Sequence, residues 1–263
     1  MNGLLEGKVA FVSGIGPGMG RDISLLFAEH GADVVLGART VEKCEAVAAE
    51  VESLGRKALP LRLDITDAGS CRAAVDAAIE TFGRIDVLVN NAFQDGNFKR
   101  FLDSDLAEWR ATADVNLWGT LALTQLVAAH MRDQGDGRIV MVNSMSAVRI
   151  QERFGAYTVS KAALAAATKS LAKELGRFGI RVNAVHPGYI WGESVEGYFR
   201  WQAEKKGITF EEQYESVASE TSLGYLPHSS EIAGTVLFLA SDLAKPVTGQ
   251  AVHVNAGHWF GGV

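Results

Sequence analysis

The chain predicts a single α/β domain, on three observations. Short apolar runs alternate with stretches of helical periodicity along all 263 residues, the rhythm of strands buried between helices. A glycine-rich turn joins the first apolar run to the first amphipathic helix. No internal repeat, low-complexity tract or linker divides the chain, so residues 1–263 read as one unit with a sizeable core.

Lys8 to Ser13 is the first strand, and Met19, Ile23, Leu26 and Phe27 recur at helical spacing after it. Between them lies Gly14-Ile15-Gly16-Pro17-Gly18-Met19-Gly20. Such a turn lets backbone approach a pyrophosphate, whose charge faces the free N–H groups and positive dipole end of the following helix. Gly14, Gly18 and Gly20 carry the pattern, which also suits a tight turn with no ligand. Asp33 to Leu36 is the second strand, ending at Gly37-Ala38-Arg39-Thr40, where a dinucleotide fold usually sets an acidic residue on the adenosine ribose. Ala38 cannot accept a hydrogen bond from the 2′-hydroxyl, whereas Arg39 can pair with a 2′-phosphate. The local chemistry therefore favours NADP(H), with NAD(H) the alternative if Arg39 is only a solvated loop charge.

A helix over Val41 to Leu54 leads through Gly55 to a strand, Ala58 to Leu63, then Asp64-Ile65. Ala68 to Phe82 is a helix with Val75, Ala78, Ile79 and Phe82 on one stripe. The nearly unbroken run Ile85 to Val89 is a buried fourth strand that stops at Asn90-Asn91-Ala92. Asparagines at the carboxyl end of a parallel strand hold loop backbone and line a ligand crevice. A long helix is expected from Ser104 to about Met131, with Asn116 in its middle. A buried amide needs partners, so Asn116 is read as a structural water anchor or as part of the active site, and the two readings are compatible.

Ile139 to Val142 is the fifth strand, and Ser144 beyond its end lies thirteen residues before Tyr157. Tyr157 and Lys161 stand four apart in an Ala-rich helix, Gly155 to Leu175, and so project from one face. A phenol with a pKa of about 10 becomes a workable proton donor and acceptor when an ammonium nearby favours the phenolate. A Tyr/Ser/Lys group of this kind suits carbonyl chemistry, although the spacing also arises by chance on amphipathic helices. Ile180 to Val185 is the sixth strand, closed by His186-Pro187-Gly188, which faces the same crevice. The stretch Gly192 to Tyr225 is long for a connection and rich in aromatics, so an insertion over about 190–225 is read as a substrate lid or as ordinary packing. Ser230 to Ala240 is a helix and Ala251 to Val254 a seventh strand.

The net charge of −6 comes without a basic run, which argues against nucleic acid as the main partner. Cys44 and Cys71 have neither Cys-x-x-Cys spacing nor a His cluster nearby, so no disulfide framework or metal site is suggested, and two buried thiols fit a reducing cytoplasm. No apolar run reaches the length of about 18 residues that spans a bilayer. The first residues lack a basic region followed by an apolar segment, so a cytoplasmic protein without a membrane partner is expected.

Taken together, Ser13-Gly14-x-x-x-Gly18-Met19-Gly20, Asp64-Ile65, Asn90-Asn91-Ala92, Asn116, Ser144, Tyr157-x-x-x-Lys161 and Pro187-Gly188 resemble the short-chain dehydrogenase/reductase family over nearly the whole chain. The resemblance implies one Rossmann-type, doubly wound domain with a seven-stranded parallel sheet flanked by helices, assembled as a homotetramer or homodimer. It implies a nicotinamide cofactor on Ser13, Gly14, Gly18, Met19, Gly20, Asp64, Ile65, Asn90, Asn91, Ala92, Tyr157, Lys161, Pro187 and Gly188, to which the residues add Arg39 at the 2′-phosphate and the Ile190 backbone at the nicotinamide amide. It implies that Tyr157 is the general acid/base and that Ser144 orients the carbonyl. Lys161 then holds the ribose and lowers the Tyr157 pKa, while Asn116 supports a proton-relay water. Three positions depart from the family pattern: Phe93 replaces the usual Gly, Gly192 stands where a Thr commonly binds the nicotinamide amide, and Pro17 replaces a basic residue of many NADP enzymes. Ser146 rivals Ser144, and the spacing to Tyr157 favours Ser144. The expected reaction interconverts a small, largely apolar secondary alcohol and its ketone by hydride transfer. The alternatives are a nucleotide-sensing or scaffold protein without turnover, or a lyase or epimerase on the same fold.

Overall fold

A computed structural model describes residues 3–261. Strands β1 (Val9–Ser13), β2 (Asp33–Ala38), β3 (Ala58–Arg62), β4 (Val87–Asn90), β5 (Gly137–Val142), β6 (Ile180–Pro187) and β7 (Ala251–Val254) form one sheet in the order β3-β2-β1-β4-β5-β6-β7. Every pairing is parallel. The chain winds outward from β1 to β3, then returns to place β4 on the other side of β1. Ser13 is thereby flanked by Gly37 and Asn90 at the point where strand order reverses. In open α/β sheets that reversal opens a crevice at the carboxyl ends of the strands, where ligands sit.

Both faces of the sheet are covered, which is why β1, β4 and β5 are buried along their whole length. Helices α1 (Met19–Glu29), α2 (Val41–Ser53) and α9 (Ser229–Ala240) bury Ile23, Phe27, Val47, Val51 and Val236 on one face. Helices α3 (Ala68–Phe82), α5 (Thr120–Gln134) and α6 (Gly155–Leu175) bury Val75, Ala78, Leu123, Val127 and Leu164 on the other. This is the Rossmann-type domain with a seven-stranded parallel sheet expected from the sequence.

At the amino ends of the strands, charges tie four neighbours together. Asp86, fully buried, accepts from Val9 N at 2.9 Å, pairs with Arg84 and lies 3.6 Å from Lys8. Arg138 of β5 pairs with Asp136 and, at 2.8 Å, with Asp242. Arg181 of β6 donates to the carbonyls of Leu239 and Ser241, each at 2.9 Å.

One expectation needs correction. The long helix from Ser104 to Met131 is interrupted: α4 (Leu106–Ala113) passes into α5 through a π turn over Asp114–Gly119. The physical reason lies in two tertiary contacts. Asn116 is bonded to the backbone of Gln94, and Gly119 approaches Ile65 so closely that a Cβ there would meet its carbonyl oxygen at 2.6 Å. Satisfying both takes one residue more than an α turn holds, and such turns recur at functional sites. The stretch after Gly192 is helical: α7 (Glu193–Lys206) is followed by α8 (Phe210–Ala218), which Thr209 and Glu212 open with a capping box. Its aromatics pack on one another, Trp191 against Tyr214 at 4.6 Å and against Phe199 at 5.9 Å, with Phe199 fully buried. Cys44 and Cys71 are buried free thiols. Among the described residues no helix is long and apolar enough to cross a membrane.

Candidate active site

The turn after β1 is held open by backbone. Gly14 has φ +90°, and a Cβ there would lie 2.4 Å from Ala92 N; one on Gly20 would lie 2.4 Å from Gly14 O. Only glycine fits these two positions. Asn91 Nδ2 donates to Gly14 O at 2.6 Å, and Asn91 N donates to Ser13 O at 3.0 Å, which fastens the Asn90-Asn91-Ala92 segment to the turn. A Cβ on Gly16 would meet nothing, and one on Gly18 would meet only Ser229 Oγ at 3.9 Å, so the outer face of the turn is free. Gly18 precedes α1 without any side-chain cap, leaving the first N–H groups of Met19 and Gly20 for an anion. These features fit a bound pyrophosphate.

Arg39 follows β2 and Arg62 ends β3, on adjacent strands in the register Ala38↔Arg62. Both act on Asp64, whose carboxyl is held below the usual range chiefly by the Thr66 hydroxyl and N–H. Ile65 is buried beside it, and Asn90 Nδ2 donates to Thr124 Oγ1 at 2.9 Å. Pro187 ends β6, with Gly188 and Ile190 just beyond; a Cβ on Gly188 would lie 3.0 Å from Asn255 Cβ. All of these expected cofactor residues therefore lie on the carboxyl rim of the sheet. Phe93 is 56 % exposed beside them.

On α6, Tyr157 is half-buried and Lys161 buried. Lys161 Nζ donates to Val142 O at 3.0 Å and stands 5.7 Å from the centre of the Tyr157 ring. Asn143 Nδ2 donates to Lys161 O at 3.1 Å, and its Oδ1 accepts from Ser144 N at 3.0 Å, so the end of β5 is fixed against α6. Ser144 Oγ accepts from Ser146 N at 3.1 Å and faces the Tyr157 phenol. Of the two serines, Ser144 acts on the phenol and Ser146 only supplies an N–H. Burial pushes Tyr157 up to about 12, against the pull of the Ser144 hydroxyl and helped by the charge of Asp95. Burial pushes Lys161 down to about 8, opposed by Asp95. The Tyr157 pKa is raised here and not lowered as expected, because desolvation of the phenol dominates.

Asn116 is fully buried on the π turn. Its Oδ1 accepts from Gln94 N at 2.8 Å, and its Nδ2 donates to Gln94 O at 2.9 Å and to Ser160 Oγ at 3.0 Å. The amide is thus spent on protein groups, clamping the loop after β4 to α6.

The fold adds residues that sequence reasoning missed. Arg149 Nη2 donates to Glu220 Oε2 at 2.9 Å, and His258 Nε2 lies 3.1 Å from the same oxygen. The Tyr189 ring stacks on His258 at 5.9 Å. The loop after β5, the end of α8 and the carboxyl-terminal segment are joined there, and no spacing rule links residues so far apart in sequence. Asp95 had one signal, its position just past the carboxyl end of a central strand. No group of three His, Cys, Asp or Glu residues among those described is placed to hold a metal.

Comparison with known proteins agrees with this architecture. A family model described as "Enoyl-(Acyl carrier protein) reductase" matches residues 14–258. The chain is 36% identical over 255 residues to the 3-oxoacyl-(acyl-carrier-protein) reductase FabG of Thermotoga maritima, covering 96% of this chain and 98% of that protein. It is 38% identical over 256 residues to an L-rhamnose 1-dehydrogenase (NAD(P)(+)) of a Sphingomonas species, covering 97% of each. Among solved structures, carveol dehydrogenase from Mycobacterium avium in complex with NAD superposes with a TM-score of 0.92 at 28% identity, covering 97% of this chain and 99% of that one. A glycine cradle at the strand-order reversal, a Tyr157/Lys161 helix facing Ser144, and matches along nearly the whole chain lead to one conclusion: the chain belongs to the short-chain dehydrogenase/reductase family, as an NAD(P)-dependent oxidoreductase.

Proposed function

We propose that the chain interconverts a small, largely apolar secondary alcohol and its ketone, with Tyr157 as general acid/base and NADP(H) as the preferred hydride carrier. The observation that carries this reading is the meeting of the Tyr157 phenol, the Ser144 hydroxyl and buried Lys161 beside the glycine cradle. The bound nicotinamide supplies or accepts the hydride. In reduction, Ser144 and Tyr157 hold the carbonyl oxygen, and Tyr157 passes its proton to the developing alkoxide. A phenol at about 12 is fully protonated at neutral pH, so it is ready as a donor. In oxidation Tyr157 must first ionise, and Lys161 favours this once it leaves Val142 O. Asn116 acts by positioning, through Gln94 and Ser160.

Ser13, Gly14, Gly18, Met19 and Gly20 hold the pyrophosphate side, while Asp64, Ile65, Asn90, Asn91 and Ala92 line the adenosine and ribose side. Lys161 holds the nicotinamide ribose, and Pro187, Gly188 and Ile190 border the nicotinamide. Preference for NADP(H) is supported by Arg39 and Arg62 on adjacent strand ends and by Ala38 where a carboxylate would repel phosphate. Residues 190–225 form a lid over the site. A homotetramer or homodimer is supported by Leu106, Trp118 and Val159, large apolar side chains exposed on α4, the π turn and α6, and its place is taken to be the cytoplasm. The test is to follow near-ultraviolet absorbance of NADPH and NADH with a panel of ketones, and of the oxidised cofactors with alcohols. Turnover with NADPH ahead of NADH is expected. Tight cofactor binding with no turnover across the panel would overturn the reading.

A further inference from the structure

One ionisable side chain beyond this group shares its space. Asp95 lies in the loop after β4, and both of its neighbours touch the candidate site. Gln94 bonds through its N and O to the Asn116 amide. Gly96 borders α6: a Cβ there would make ordinary contact, at 3.6 Å, with both Tyr157 N and Ala156 Cβ. Asp95 thus stands between two residues that touch the site; its side chain is exposed at one edge, while the protein on its other side desolvates the carboxylate and raises its pKa. Among the described residues no hydrogen bond or ion pair ends on it, yet its charge acts on both Tyr157 and Lys161. Most other carboxylates on this rim are spent within the protein: Asp64 on Thr66, Glu108 on Asn97 and Lys99, Glu220 on Arg149. An ionised carboxylate only accepts hydrogen bonds, so one placed beside a carbonyl site and left unpaired is set to receive a donor from the ligand.

We propose that Asp95 is a specificity-determining residue that accepts a hydrogen bond from a hydroxyl on the carbon next to the reacting one. The substrates are then vicinal diols and their α-hydroxyketones. This rests on the alcohol/ketone reading above and narrows it. The second hydroxyl is held and not consumed: as with a simple alcohol, the reacting C–H gives up a hydride to the cofactor and its O–H gives a proton to Tyr157. A hydroxyl suits the site better than an ammonium because Lys161 places a positive charge in the same space.

The experiment compares acetoin, 2-butanone and aminoacetone as substrates with NADPH, in the native protein and in Asp95→Asn and Asp95→Ala. In parallel, saturation-transfer NMR measures binding of 2,3-butanediol and 2-butanol to the protein–NADPH complex, with cofactor titration as the check that each variant is folded. The native kcat/KM for acetoin should exceed that for 2-butanone by about tenfold to a hundredfold, short of the larger ratios of enclosed polar sites because water reaches this rim. Asp95→Ala should bring the ratio to within about threefold and erase the preference for diol binding, while Asp95→Asn, whose amide oxygen still accepts, should keep part of both. An unchanged ratio in both variants, or aminoacetone as the best native substrate, would overturn the inference. If no ketone is reduced while diol binding still depends on Asp95, the reaction reading fails and the role of Asp95 stands. Diol binding indifferent to Asp95 removes that role as well.

Discussion

Lys161 provides a measurement of the site that needs neither substrate nor cofactor. Its ammonium is 2 % exposed, and burial pushes its pKa from 10.5 down to about 8. Below about pH 8 folded and unfolded chains both carry the proton. Between about 8 and 10.5 the unfolded chain keeps a proton that the folded chain has shed, so stability rises with pH across that window. At about 1.4 kcal/mol per pKa unit, going from pH 7 to pH 10 should add about 2.5 kcal/mol of unfolding free energy from this one side chain. Lys161→Met keeps the length and apolar stem but cannot titrate. It also loses the bond to Val142 O, a cost of about 1 kcal/mol that is nearly the same at every pH. Urea unfolding of the cofactor-free protein and this variant should therefore give stability curves that diverge by about 2.5 kcal/mol from pH 7 to pH 10, the native protein gaining. Tyrosine and cysteine titrations are common to both proteins and cancel in the difference. Curves that stay parallel within about 0.5 kcal/mol would refute the depressed pKa and the burial argument behind it.

Three further outcomes are expected. Asn116→Ala removes three hydrogen bonds, two of them to backbone that water can partly reach, so thermal or urea unfolding should show a loss of about 2–3 kcal/mol together with reduced turnover; lost turnover at unchanged stability would mean the amide is not a clamp. Tyr157→Phe should lower turnover by roughly 10²-fold or more with cofactor affinity nearly kept, and full activity in the variant would remove Tyr157 as the acid. Arg39→Ala should weaken NADPH much more than NADH in fluorescence titrations, and Ala38→Asp should favour NADH; equal losses for both cofactors would refute the preference.

The sheet was legible because strands buried on both faces have to be apolar throughout, as in Val87 to Val89 and Ile139 to Val142, and little else in the chain looks like that. The glycine turn was legible for a related reason: close backbone approach admits only one residue type at Gly14 and Gly20. The π turn was not legible, since helical periodicity on either side of Asp114–Gly119 is indifferent to one extra residue, and the contacts that demand it come from Gln94 and Ile65. The direction of the Tyr157 shift was misjudged for the same kind of reason. Spacing brings an ammonium near a phenol, but desolvation depends on everything packed around the pair. Asp95, Arg149, Glu220 and His258 belong to segments that only the tertiary fold brings to one rim.

The charged lattice at the amino ends of β1, β4, β5 and β6 gives the molecule a spine, like the bound edge of a book. Lys8, Arg84, Asp86, Asp136, Arg138 and Asp242 fix the pages there, while the loops after the same strands, which carry Gly14, Asn91, Ser144 and Gly188, lie at the free edge. Changes written into the free edge leave the binding untouched. Descendants of this chain can therefore acquire new loops, and with them new ligands, without renegotiating how the sheet is assembled.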